Sequence, residues 1–130
     1  MSRAKRAQLN ERHAQLPLSV LMSKKFNTMP VGYQRVLWLL AAQFYGTNNG
    51  NLALTRKMAA HFGLNNERHR TNGLRMLEDR GFIVKTRPGG ISLGKGKPTL
   101  WALTWRSIHH WAGEKLDTPK LPPMTYRRAG

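Results

Sequence analysis

Residues 65–75 read NNERHRTNGLR and hold five side chains able to recognise another molecule through donors and acceptors: Arg68, His69, Thr71, Asn72 and Arg75. At helical spacing they turn away from the side carrying Leu74, Leu77 and the methylene stem of Arg70. Arginine and asparagine have forked groups that match guanine and adenine edges in a major groove, so base readout is the chemistry they could do. A charge-rich helix face is also, more simply, a solvated one. Nothing apolar lies between Asn66 and Asn72, so two turns lack the packing stripe that stabilises most helices.

Other cations flank this stretch. Thr55, Arg56 and Lys57 stand where an earlier helix would start, placed for contacts to a phosphate backbone. Arg87, Lys95 and Lys97 surround the glycines of PGGISLGKGKP, which let a backbone approach a phosphate closely. Arg3, Lys5 and Arg6 could enter a minor groove as a basic arm, or only solubilise the chain. Glu67 has two readings: a first-turn carboxylate favoured by the helix dipole, or an acceptor for a cytosine amino group.

Bond-making chemistry has little to work with. Glu78 and Asp79 diverge by about 100° on a helix, and His109 and His110 are adjacent with no third ligand at metal spacing. We expect no enzyme activity, no cofactor, no metal and no small-molecule substrate. The chain of 130 residues has 22 Lys and Arg against 6 Asp and Glu, a formal charge of +16. That excess points to a polyanionic partner. The longest apolar run, 36–42, is too short to span a bilayer, no apolar segment follows the basic N-terminus, and cysteine is absent. A cytoplasmic, nucleoid-associated protein is expected, with no membrane role.

The elements that must position these residues follow from local signals. Residues 1–16 read as a flexible basic arm. A short helix runs from Pro17 to about Phe26, and a longer one from Pro30 to Tyr45. GTNNGN is a turn, and Leu52, Ala53 and Leu54 are a very short strand. Thr55 caps a helix that stops at Gly63; Asn66 caps the next, which stops at Gly81. Phe82 starts a strand through Arg87, residues 88–98 are a glycine-rich loop, and residues 99–105 return as a strand. Trp38, Trp101 and Trp105 read as packing residues, not stacking platforms. Residues 107–130 read as an extended tail.

Two helices joined by a tight turn and followed by a hairpin make the winged helix-turn-helix plan, mainly α with a small β-hairpin. The NNG turn, the register Leu74-x-x-Leu77-x-x-x-Gly81-Phe82-Ile83 and the ending Ala102-Leu103-Thr104-Trp105 resemble small winged helix-turn-helix DNA-binding proteins of phages, plasmids and other mobile elements. Arg70, at a usually apolar position, and Gly73, where alanine is common, depart from that pattern. The resemblance runs from about Pro17 to Trp105, within a domain read as residues 17–106. It implies a sequence-specific double-stranded DNA-binding protein, a transcriptional regulator or a replication or partition accessory. The helix 66–81 would enter the major groove and the wing 87–98 would follow the backbone. A homodimer, a winged helix docking on a polymerase or replication factor, and an RNA-binding protein are the other expectations left open.

Overall fold

The computed structural model describes residues 11–92, 95–111 and 122–127, with the side chains at 91, 92 and 95 outside that description. The arm cations Arg3, Lys5 and Arg6 and the side chain of Lys95 therefore lie outside the described residues.

The first expected helix is two: α1 (Leu18–Leu21) and α2 (Lys24–Asn27). Ser23 breaks the run, because its hydroxyl accepts from the Phe26 amide at 3.2 Å and donates to the Val20 carbonyl at 2.7 Å. Helix α3 (Val31–Ala41) follows Pro30 and ends short of Tyr45. Past its end the carbonyls turn to side chains: Arg12 Nη2 donates to Ala42 at 3.1 Å and Asn48 Nδ2 to Gln43 at 2.8 Å. Helix α4 (Arg56–His61) is capped by the Thr55 hydroxyl, and Gly63 leaves it with φ +87°. Helix α5 (Glu67–Asp79) is capped by Asn66, whose Oδ1 accepts from the His69 amide at 3.0 Å, and Gly81 leaves it with φ +84°.

Strands β1 (Ile83–Arg87) and β4 (Leu100–Leu103) pair antiparallel from Ile83 opposite Leu103. The register shifts between Lys85 and Arg87, a bulge that turns Thr86 inward, where its hydroxyl donates to the Gly50 carbonyl at 2.5 Å. The strand expected at 52–54 reduces to a single bridge from Leu52 to Trp101. The stretch expected as a loop holds a second short ladder, β2 (Gly90–Ser92) with β3 (Lys95–Lys97). The result is a mixed chain of short helices and small antiparallel ladders.

Val36, Leu37 and Leu40 of α3 meet Leu74 and Leu77 of α5, and Phe82, Ile83 and Leu103 close the core from the sheet. Asn49, fully buried, organises the chain that leaves β4. Its Nδ2 donates to the carbonyls of Leu103, Arg106 and Ser107, and its Oδ1 accepts from the Leu103 amide at 2.7 Å.

The extended tail expected from 107 onwards is not what the described residues form. Ile108 is buried, and Tyr126, in a 3-10 turn at Thr125–Arg127, stacks on Phe82 with ring centroids 5.6 Å apart. The Tyr126 hydroxyl meets Ser19 at 2.9 Å. An aromatic ring with a partner for its hydroxyl completes the core more favourably than it hydrates. Of the expected arm only residues 11–16 are described, and there Ala14 and Leu16 pack against the same core. No helix among the described residues is long and apolar enough to cross a membrane.

Candidate nucleic-acid interface

Arg70 fixes α5 against the segment that leads into α4. Its Nη1 donates to the Leu54 carbonyl at 2.8 Å and its Nε to Glu67 at 2.9 Å, with a second bond from Nη2 to the same carboxylate. Arg56, from the first turn of α4, approaches Oε2 of Glu67, the oxygen that also accepts from Arg70 Nε, at 3.4 Å. The Arg70 hydrogen bonds, with Arg56 behind them, hold the Glu67 carboxyl down to about 2. Glu67 does stand in the first turn of α5, as the dipole reading expects, but neither sequence reading includes this ion pairing. The carboxylate is an ion-pair bridge between two helices, and both of its oxygens are engaged. Arg70 likewise does more than lay its stem on the core: its side chain is only 19% exposed and each of its three guanidinium nitrogens makes a structural hydrogen bond.

The crossing of α3 and α5 explains the missing apolar stripe. A Cβ at Gly73 would lie 2.7 Å from Val36 Cγ2 and 3.3 Å from the Tyr33 Cα, so backbone packs where a side chain would otherwise stand. The His69 ring lies over Gly32 and meets Tyr33 edge-on, with centroids 5.9 Å apart. Asn72 is half-buried, with Nδ2 3.4 Å from the Tyr33 hydroxyl. His69 therefore does not point outward as its helical position suggested. The close approach allowed by the two glycines turns it onto α3, and Asn72 lies at the edge of the same contact.

Three of the five expected readers remain open: Arg68, Thr71 and Arg75 are exposed. The Thr71 hydroxyl donates back to the Glu67 carbonyl at 3.0 Å, which leaves its acceptor lone pairs outward. Arg56 and Lys57 are exposed beside them, whereas Thr55 spends its hydroxyl on the cap. Asp79, at the far end of α5, is an exposed carboxylate on this helix.

The hairpin lies alongside. Thr55, Arg56 and Arg70 line one cleft together with Pro98, Thr99 and Trp101. Arg87 donates through Nη2 to the Pro98 carbonyl at 2.7 Å, closing the base of the β2–β3 ladder, while its Nε is buried without a partner. Arg87 is thus largely structural, and Lys97 is the exposed cation of the described hairpin tip. Lys85, which the sequence did not single out, reaches over Trp101 at 5.6 Å. Trp101 and Trp105 are buried, as packing residues should be, and Trp38 is half-buried. Among the described residues no cluster of His, Asp and Glu could hold a metal ion.

Comparison with protein-family models, with curated proteins and with solved structures gives no match.

Proposed function

We propose that the chain is a sequence-specific double-stranded DNA-binding protein of winged helix-turn-helix type. Helix α5 enters the major groove and the β2–β3 hairpin follows the backbone. The observation that carries this reading is the free side of α5. Arg68, Thr71 and Arg75 offer exposed donors and acceptors beside Arg56 and Lys57, while Glu67 is already neutralised by two arginines. Base readout rests on those three, and His69 and Asn72 hold the helix at its angle to α3. Arg56, Lys57 and Lys97 take phosphates, contacts that position the protein without reading sequence. The +16 charge is what such a partner offsets. In a cell this is a nucleoid-associated regulator, or a replication or partition accessory, of a mobile element, with no catalytic step of its own.

Selection of bound duplexes from a random library, followed by gel shift against salt, tests the reading. The logarithm of the binding constant should fall by about 0.9 per phosphate contact for each unit of log salt. A flat response overturns nucleic-acid binding, and a shift of RNA in place of duplex overturns the DNA assignment.

A further inference from the structure

A second cationic surface, this one with an open tyrosine ring, lies at the other end of α3. Helix α5 crosses α3 in its first turns, at Gly32, Tyr33 and Val36, whereas Phe44 and Tyr45 follow its last turn. An 11-residue helix is ~16 Å long, so the two surfaces lie about that far apart. Arg106 sits over the Phe44 ring at 5.1 Å and Arg12 over the Tyr45 ring at 5.9 Å. Tyr45 is 65% exposed, although Asn48 holds its backbone amide at 2.9 Å, so the ring is presented from a fixed base. Two open clefts meet here and share Gln15, Trp105 and Arg106, and no Asp or Glu is among their described lining residues.

The charges are not consumed internally. Arg12 spends its Nη2 on the Ala42 and Gln43 carbonyls, which leaves its other donors outward. Among the described residues the Arg106 guanidinium has the Phe44 ring and no ion pair. An exposed tyrosine ring beside two guanidinium groups, with Glu11 next to Arg12 in sequence but no carboxylate lining the clefts, suits a ligand that is anionic and flat-ringed at once.

We propose that this surface binds an unpaired nucleic-acid strand, with a base stacked on Tyr45 and adjoining phosphates on Arg106 and Arg12. A duplex cannot supply the base face, because its bases are stacked on one another, so the ligand is single-stranded. The site does not depend on what α5 binds. A protein holding both would sit where a duplex opens.

The test is fluorescence anisotropy of the full chain with labelled strands of about 12 nucleotides. Oligothymidylate, oligouridylate, an abasic strand of equal length and a duplex are compared. Tyr45→Ala and Arg106→Ala should each weaken the unpaired strands about tenfold and leave duplex binding unchanged. Tyr45→Phe should retain the affinity, and the abasic strand should bind wild type as weakly as oligothymidylate binds Tyr45→Ala. Arg68→Ala should leave unpaired-strand binding intact, which separates this site from α5. Preference between the thymidylate and uridylate strands tells DNA from RNA, and either supports the site. Unchanged strand affinity in both alanine variants, an abasic strand held as tightly as thymidylate, or no binding of any unpaired strand overturns it. Both side chains are exposed, so melting temperatures should match wild type.

Discussion

His69 and Gly32 share one space: a Cβ at residue 32 would lie 2.6 Å from Cε1 and 2.9 Å from Cγ of the imidazole. The polar start of α5 packs on backbone, not on an apolar side chain. Gly32→Ala should therefore displace the ring and cost about 1–3 kcal/mol, as other overpacked sites do. In a His69→Ala background the same change should cost little, because alanine is the better helix former by ~1 kcal/mol. A double-mutant cycle from urea unfolding measures the coupling. Additive costs would mean that the two residues do not meet.

Gly73 makes a sharper case. Alanine there gains helix propensity, ~1 kcal/mol, but its methyl would meet Val36, whose branched side chain has little freedom, and the Tyr33 backbone behind it. Overpacking should win, and Gly73→Ala should melt below wild type. A higher melting temperature would show that α3 yields easily.

Readers and supports on α5 should separate by their readouts. Arg68→Ala and Arg75→Ala should each cost about 1–3 kcal/mol on a selected site and much less on random duplex, with melting unchanged. His69→Ala should lower the melting temperature and weaken both duplexes together. Equal losses on both duplexes for Arg68 and Arg75 would reduce them to phosphate contacts.

What the sequence made legible was what neighbouring residues decide. Thr55 and Asn66 cap, and Gly63 and Gly81 terminate, because each acts within one turn of chain. The exposure of Arg68 and Arg75 followed from helical spacing alone. Tyr126 was illegible because its place is beside Phe82, which only the folded chain creates. The inward turn of His69 was hidden for the same reason: it depends on a glycine in another helix. Glycine at both 32 and 73 was the available signal, since each costs helix stability unless something must come close.

Glu67 sets a pH dependence. Its carboxyl is held below the ordinary glutamate value, at about 2, by Arg70 and then Arg56. A depressed folded-state value means that the bridge stabilises above the ordinary value, 4.5, and that this contribution fades as pH falls towards 2. With the Glu67 side chain 37% exposed, solvent screens the effect. Glu67→Gln should therefore melt below wild type at pH 7, and the gap should narrow between about pH 4.5 and 2. A gap that stays constant with pH would assign Glu67 a role in packing alone.

Asn49 should be the least replaceable polar residue of the described core. It joins the NNG turn to the chain leaving β4 by taking the Leu103 amide on Oδ1 and giving Nδ2 to three carbonyls. Its own carbonyl accepts the amides of His109 and His110, at 2.8 and 3.0 Å. Asn49→Ala leaves the Leu103 amide and carbonyl without these partners in a buried site, at about 1–3 kcal/mol for each unsatisfied group. Asn49→Asp should be worse at neutral pH, because an oxygen then faces three carbonyl oxygens that had shared a donor. Gly50 guards the same joint from the other side: φ is +102°, and a Cβ would lie 2.8 Å from the His110 carbonyl carbon. Gly50→Ala should thus release residues 107–111 from the turn, which amide hydrogen exchange at His109 and His110 would register as lost protection. If those amides stay protected in both the Asn49→Ala and Gly50→Ala variants, the turn does not hold this segment.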